Sequence, residues 1–194
     1  MRSVTHYNEP MKNLSLKSRT EIDKHFMALA ITQAQLAGAA NEVPVGAVVV
    51  VNNAVIATAC NQREANADPS AHAELLAIRQ AASKLGRWRL SDCTVYVTLE
   101  PCPMCAGLMH QARIARCVYA TADPKAGALG SLYELHNDTR LNHNFAVSSG
   151  VCEHEAAALL QDFFKLRRRS ADKSATEPSE PDREPGETNQ EGSP

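Results

Sequence analysis

The sequence predicts an α/β protein in which helices cover both faces of a mixed five-stranded sheet, giving three αβα layers. Segments of helical periodicity alternate with short β-branched runs, in the order αββαβαββα. A hydrophobic fraction of 44% in 194 residues is enough for one well-packed core. We therefore expect a single domain over residues 19–169, with segments of different composition at both ends.

Each element is predicted from residue spacing and from the signals that flank it. Four helices are expected, at 22–38, 71–85, 102–113 and 153–168. Five strands are expected, at 45–51, 55–59, 94–99, 117–120 and 145–148. The first helix has two possible capping boxes, Ser18 with Glu21 or Thr20 with Asp23. The first two strands are joined by residues that tolerate the positive φ angles of a tight hairpin turn, Asn52 and Asn53.

The two ends of the chain differ from this core in composition. Residues 1–18 have no clear periodicity, and we expect a flexible extension. Residues 170–194 contain no large apolar side chain, which predicts a disordered acidic tail. The tail has seven acidic and two basic residues, so the total charge of −2 leaves +3 for residues 1–169. This mild positive charge predicts that any polyanion is held by local basic clusters rather than by a global field.

The sequence also predicts a cytoplasmic protein that does not enter a membrane. Its longest apolar stretch, at 45–51, is far shorter than the roughly 20 residues that span a bilayer. The first 20 residues contain basic side chains but lack the apolar block of a secretory signal. Two of the six cysteines form a C-x-x-C motif, and the other four stand alone at irregular intervals, which favours free thiols in a reducing compartment.

Two short motifs carry the candidate chemistry: His72-Ala73-Glu74 and Pro101-Cys102-Pro103-Met104-Cys105. They supply one imidazole and two thiolates for a metal, and one carboxylate. A catalytic zinc site has three protein ligands and keeps one position open for water, whereas a structural site uses four protein ligands. We therefore predict a catalytic zinc centre with His72, Cys102 and Cys105 as ligands.

The predicted helices explain how these side chains converge. Cys102 and Cys105 fall in the first turn of a helix, where the helix dipole favours thiolate and the i, i+3 spacing puts both sulfurs on one side. His72 lies near the start of another helix. Glu74 is only two residues further on, so the two side chains point apart and Glu74 is expected beside the water rather than on the metal.

This arrangement predicts hydrolytic deamination. A bound zinc ion lowers the pKa of water to about 7. Glu74 would accept the proton of that water, deliver it to the ring nitrogen beside the attacked carbon, and later help ammonia to leave. The combination H-x-E and P-C-x-x-C is the signature of zinc-dependent base deaminases.

Each motif has other interpretations when it is taken alone. C-x-x-C is common in structural zinc knuckles and in redox proteins. A thioredoxin-like protein would leave His72 and Glu74 without a role. A structural zinc site would need a fourth ligand, for which His110 and Cys117 are the candidates.

From residue 20 to residue 168 the chain resembles the bacterial tRNA-specific adenosine deaminases of the cytidine/deoxycytidylate deaminase superfamily. The resemblance is carried by matching segments at 42–48, 71–74, 96–107, 130–132 and 162–164, and by Asn61, Asp123, Lys125, Gly127, Arg167 and Arg168. It implies a cytidine-deaminase-like fold, one zinc ion per subunit, and a homodimer whose sites each use residues of both subunits. It also implies conversion of the wobble adenosine of a tRNA anticodon to inosine.

The resemblance also implies roles for single residues. His72, Cys102 and Cys105 match zinc ligands, and Glu74 matches the proton shuttle. Four further residues match substrate-binding positions: Asn61, Asp123, Arg167 and Arg168. Asn61 would contact the target base, but it could equally be a turn residue after a strand. Asp123 would lie near the substrate backbone, or cap a turn. The two arginines would contact phosphate, or only complement a helix C-terminus.

Two rival functions remain open at this point. The same metal chemistry serves enzymes that act on a free base, nucleoside or nucleotide. RNA is favoured by the Asp162-Phe163-Phe164 segment with its arginines and by the loop at 123–132, because both could hold a folded loop outside the pocket. The second rival is a non-catalytic RNA-binding module with structural zinc.

Overall fold

The computed structural model describes residues 18–174, with side chains up to residue 170. The helices are α1 (Arg19–Ala39), α2 (Arg63–Asn66), α3 (Ala73–Leu85), α4 (Pro103–Gln111) and α5 (Glu153–Ser174). The strands are β1 (Gly46–Val51), β2 (Ala54–Cys60), β3 (Cys93–Leu99), β4 (Arg116–Thr121) and β5 (Ala146–Ser148). The predicted extension before residue 18 and the predicted tail after residue 174 lie outside the described residues.

The strands form one mixed sheet in the order β2-β1-β3-β4-β5. Strand β1 pairs antiparallel with β2 and β3, whereas β3, β4 and β5 run parallel. Parallel neighbours need a crossover, and α4 supplies the one between β3 and β4. Because of these strand directions, the ends of β2, β3 and β4 and the start of β1 meet at one edge of the sheet.

The sheet lies between two helical layers. On one face, α3 and α4 pack against alternate residues of β1, Ala47 and Val49. On the other face, α1 and the start of α5 pack against the residues between them, Val48 and Val50. Side chains alternate between faces along a strand, so the unbroken apolar run of β1 is what a strand buried on both faces requires. This arrangement confirms the predicted αβα layers and the mixed five-stranded sheet.

Several local signals have the predicted effect. Ser18 is the N-cap of α1 and forms the capping box with Glu21. Asn52 and Asn53 take φ angles of 49° and 61° at the hairpin turn. Helix α1 continues one residue past its predicted end at Gly38 and stops at Ala39. A turn follows, in which Asn41 takes a φ angle of 62°. Within residues 18–174, no helix is long and apolar enough to cross a membrane.

Helix α5 corrects one predicted boundary. The helix was expected to end at residue 168 and the disordered tail to begin at 170, but α5 continues to Ser174. No Gly or Pro interrupts the chain before Pro178, and the Ser170 hydroxyl donates to the carbonyl of Leu166 one turn earlier. Residues 170–174 are therefore helical. Helix α2 was not predicted, because four residues are too few to show periodicity.

Candidate metal centre and active site

The candidate site lies at the sheet edge where β2, β3 and β4 end. His72 is the N-cap residue of α3, in an extended conformation, and Cys102 is the N-cap residue of α4. Cys105 is buried in the first turn of α4, whose first position is Pro103. A proline at this position loses no helical hydrogen bond and presets the φ angle of the helix. The predicted helix starts therefore bring together the motifs that are separated in sequence.

The three predicted ligands form one compact group. Nδ1 of His72 lies 3.7 Å from Sγ of Cys102 and 3.6 Å from Sγ of Cys105. All three ligand atoms lie within 4.8 Å of one another. Within the described residues, no fourth His, Cys, Asp or Glu joins them. Neither His110 nor Cys117, the candidates for a fourth ligand, is part of the group.

These distances fit zinc. A zinc ion binds sulfur at about 2.3 Å and nitrogen at about 2.0 Å. At a tetrahedral angle, these bonds place the sulfur and the nitrogen about 3.6 Å apart. The His72–cysteine separations match this spacing. Two thiolates and one imidazole also form a donor set typical of catalytic zinc, with one position left for water. His72, Cys102 and Cys105 are therefore the residues that can hold the ion.

The charges in the group favour a bound cation. Hydrogen bonding from Cys105 and then from His72 lowers the pKa of the Cys102 thiol to about 4, against the opposing effect of burial. Cys102 and burial together raise the pKa of Cys105. The two sulfurs thus compete for one negative charge. A divalent cation relieves the competition, because coordination deprotonates both thiols.

Glu74 lies beside this group without joining it. Its side chain is in the first turn of α3 and is 4% exposed. Burial raises the pKa of the Glu74 carboxyl, and the nearby imidazole of His72 only partly opposes this effect. A carboxyl with a raised pKa can both accept and donate a proton near neutral pH. Glu74 thus lies next to the ligand cluster, with a side-chain hydrogen bond to Cys105, but outside the group of three, and its raised pKa equips it for proton transfer.

The group opens into a cleft of about 880 Å³. The cleft is lined by His72, Glu74 and Cys102, and also by the residue that follows β2, by α2, the end of β3, the loop after β4 and the middle of α5. These further lining residues include Asn61, Arg63, Leu99, Glu100, Asp123, Lys125, Phe164, Lys165 and Arg168.

Three of the four predicted substrate residues line the cleft, and one does not. Asn61 and Arg168 both line the cleft. Asp123 lines it too, but its carboxylate also accepts hydrogen bonds from the backbone N–H groups of residues 125 and 126, so it caps the turn as well. Arg167 does not line the cleft. Its guanidinium donates to the carbonyl of Asn41 at 2.7 Å and lies over the ring of Phe163.

Two buried acids that shape the cleft received no role from the sequence. Glu42, 1% exposed, accepts hydrogen bonds from Asn61 and from the backbone of α2. Glu100, 2% exposed, accepts from the loop that carries Asp123. Glu42 lies in the short segment before the apolar strand β1, Glu100 directly follows the apolar strand β3, and these positions are the signal that could have identified both acids. A buried carboxylate needs hydrogen-bond donors, so it organises the backbone around it.

Comparisons with known proteins identify the family of this chain. A family model described as MafB19-like deaminase matches residues 21–168. The tRNA-specific adenosine deaminase of Bacillus subtilis is 46% identical over 147 residues, covering 76% of this chain and 91% of that protein. The enzyme of the same name from Haemophilus influenzae is 42% identical over 153 residues, covering 78% and 88%.

A solved structure has the same fold as this chain. It comes from a study of A-to-I editing by tRNA:A34 deaminases at the wobble position of transfer RNA. It is 44% identical to this chain with a TM-score of 0.68, and it covers 70% of this chain and 99% of its own.

The fold and the site therefore define a deaminase of the family described as MafB19-like. Within this class, the chain belongs to the tRNA-specific adenosine deaminases. The resemblance predicted from the sequence motifs is thereby confirmed.

Proposed function

We propose that this protein converts adenosine to inosine at the wobble position of a tRNA anticodon by zinc-dependent hydrolysis. One observation carries the proposal: His72, Cys102 and Cys105 converge at 3.6–3.7 Å, and Glu74 is buried beside them without joining the group. The names of the relatives from Bacillus subtilis and Haemophilus influenzae support adenosine in tRNA as the substrate.

Three protein ligands and one proton carrier divide the work of the reaction. His72, Cys102 and Cys105 would hold a zinc ion, and that ion would activate a water, because coordination lowers the pKa of water to about 7. Glu74 accepts a proton from this water and delivers it to the purine nitrogen next to the attacked carbon. The carbon–oxygen bond forms, and this first proton stays on the ring nitrogen. Glu74 then takes the second proton of the former water from the new hydroxyl and passes it to the exocyclic amine, whose bond to carbon breaks as ammonia leaves and the carbonyl forms.

The surroundings of the cleft suit a single-stranded RNA loop. Four exposed basic side chains line it: Arg63, Lys125, Lys165 and Arg168. Phe164 also lines the cleft and is 45% exposed, so its ring can stack on a base. Basic side chains hold the phosphates of RNA, and an unpaired loop offers a splayed base without the cost of opening a duplex. This combination favours RNA over a free nucleoside.

The proposal includes one zinc ion per subunit, a homodimer and a cytoplasmic location. The homodimer is supported by the family resemblance and by exposed apolar side chains of the kind that interfaces bury, Met104, Leu132 and Tyr133. Besides the two proposed zinc ligands, the chain has four cysteines that form no disulfide, which suits the reducing cytoplasm in which tRNA is processed. Light scattering is expected to give a mass of twice the 21.0 kDa of one chain. A mass of one chain at micromolar concentration would contradict the dimer.

The substrate is tested with purified protein and four compounds. An anticodon stem-loop with adenosine at the wobble position is expected to yield inosine, detected by mass spectrometry. A matched stem-loop with guanosine at that position is the control, and free adenosine and cytidine test the rival function. Turnover of a free nucleoside with none of the stem-loop would overturn the proposal. Binding of the stem-loop without any turnover would favour the non-catalytic RNA-binding module.

A further inference from the structure

We propose that Glu42 is a positioning residue that fixes the orientation of the Asn61 carboxamide and thereby sets which hydrogen-bonding groups meet the target base. This inference rests on the proposed function, because it assigns Asn61 to the substrate. Glu42 itself is not a residue that lines the cleft. It acts through Asn61.

Both oxygens of the Glu42 carboxylate have defined donors. Asn61 Nδ2 donates to Oε2 at 3.1 Å, and the backbone N–H of Ala65 donates to Oε1 at 2.8 Å. Glu42 lies between α1 and β1, whereas Asn61 directly follows β2, so the bond joins two segments 19 residues apart. Both side chains are buried, at 1% and 5% exposure. Water therefore cannot easily replace either partner.

This bond allows one orientation of the amide. Turning the Asn61 carboxamide over would place Oδ1 against a carboxylate oxygen, so that two acceptors would face each other in a buried place. Such an arrangement leaves both groups unsatisfied, at a cost that exceeds the worth of an ordinary hydrogen bond. The amide nitrogen therefore stays on Glu42.

The remaining groups of Asn61 are available to a ligand. Within residues 18–174 its Oδ1 has no hydrogen-bond partner, and Nδ2 keeps a second N–H. Since Asn61 lines the cleft, it offers one acceptor and one donor to a base held there. A purine edge carries both kinds of group, and a carboxamide can match them only in one orientation. Glu42 thus determines the match without touching the base.

The same carboxylate positions a second part of the cleft. Through Ala65 it holds α2, whose first residue, Arg63, lines the cleft. The neighbouring carbonyl of Asn41 accepts from Arg167 of α5. The loop at 40–45 therefore links the elements that carry Asn61, Arg63 and Arg168.

The test is a double-mutant cycle with Glu42→Gln and Asn61→Ala. In Glu42→Gln the new amide oxygen can still accept from Ala65, while its NH₂ group favours the reversed Asn61 carboxamide. The fold and the zinc content should therefore be kept. We expect kcat/KM for the stem-loop to fall about 10- to 100-fold, in line with one or two hydrogen bonds. In the Asn61→Ala background, Glu42→Gln should cause no further loss.

Glu64→Gln is the matched control. Glu64 is an exposed residue of α2, the helix that Glu42 holds through Ala65, and its substitution removes the same charge as Glu42→Gln. It should behave as the wild type. An active Glu42→Gln with unchanged kcat/KM, or a loss that persists undiminished in the Asn61→Ala background, would overturn the inference.

A second measurement does not depend on the proposed function. The Asn61 side-chain amide proton that is bonded to Glu42 should exchange slowly with solvent in nuclear magnetic resonance spectra, and this protection should disappear in Glu42→Ala. Identical exchange in both proteins would overturn the inference. If the wild type edits no stem-loop but deaminates a free purine or nucleoside, the proposed function fails, and the same cycle run on that compound still decides the role of Glu42.

Discussion

Gly127 lies so close to the carboxylate of Glu100 that a Cβ atom at this position would come within 2.3 Å of the carboxylate carbon. The carboxylate accepts hydrogen bonds from the backbone N–H groups of Asp123, Leu129 and Ser131, each at 3.0 Å, and from the Ser131 hydroxyl. The loop after β4 is therefore wrapped around one buried acid. Because Glu100 lies two residues before Cys102, it connects this loop to the segment that carries two of the candidate metal ligands.

Gly127→Ala should disrupt this support. The added methyl group meets a carboxylate that four donors hold in place, and overpacking of this kind costs about 1–3 kcal/mol. We expect a lower melting temperature and a reduced kcat/KM, because the loop carries Asp123 and Lys125 into the cleft. Gly107→Ala is the control, since a Cβ at Gly107 would meet nothing within 4 Å. Equal stability of the two variants would contradict this account.

Glu74→Gln should abolish turnover and keep the zinc. The amide is nearly isosteric with the carboxyl but cannot carry the proton, and loss of general acid–base catalysis lowers rates by about 10²- to 10⁴-fold. Single-turnover assays on the stem-loop would measure the rate, and elemental analysis would measure the metal. Deamination at the wild-type rate by this variant would refute the role of Glu74.

Removal of the metal should abolish activity reversibly. Exhaustive dialysis against a strong chelator is expected to remove one zinc ion per chain, and stoichiometric zinc should restore the rate. Cys102→Ser, which replaces a soft thiolate by a hydroxyl, should bind less zinc under the same conditions. Fully active protein without a stoichiometric transition metal would rule out the proposed chemistry.

Arg168→Gln and Arg167→Gln should differ although the two residues are neighbours. Arg168 lines the cleft, so its loss should weaken stem-loop binding and reduce the slope of log K against log salt concentration by about 1. Arg167 instead bonds to the carbonyl of Asn41, so its loss should lower stability and leave the salt slope nearly unchanged. Titrations at several salt concentrations would test this, and identical slopes for both variants would contradict the assignment.

Asp23 should make stability depend on acidity. Burial acts to raise the pKa of Asp23, but hydrogen bonds from Arg116 at 2.7 Å and from Tyr96 at 2.9 Å outweigh it and lower the pKa. A lowered pKa means that the stabilisation is complete above the unfolded-state pKa of about 4 and is lost as the pH falls through the folded-state pKa.

Asp23→Asn should therefore destabilise the protein by about 3 kcal/mol at pH 7, because it leaves the buried Arg116 unpaired. The difference from the wild type should shrink below about pH 4. Denaturant unfolding at several pH values measures both effects. Asp92→Asn is the control, because its ion pair with Arg87 is exposed and such pairs contribute little. A difference that stays constant down to pH 2 would argue against the pairing.

Local signals explain why so much of the site was predictable. The spacing of Cys102 and Cys105 at the start of α4 and the position of His72 at the start of α3 depend on helix geometry, which a few neighbouring residues determine. The hairpin at Asn52 and Asn53 follows from turn chemistry in the same way. The fold and the family are confirmed, whereas the metal-ligand roles of His72, Cys102 and Cys105 and the catalytic role of Glu74 stay predictions. The roles of Asn61, Asp123, Arg167 and Arg168 remain predictions.

Contacts between segments that are distant in the chain could not be predicted from the sequence. Asp23 was considered as part of a capping box, yet it is buried against Arg116, 93 residues away. Glu42 and Glu100 also have partners that periodicity and motifs do not reveal. A buried charge needs a partner to offset the loss of its hydration, but that partner can come from any part of the chain. The sequence of this protein thus determined which residues form the candidate metal centre, and the tertiary structure alone decided which buried acids hold the segments around it.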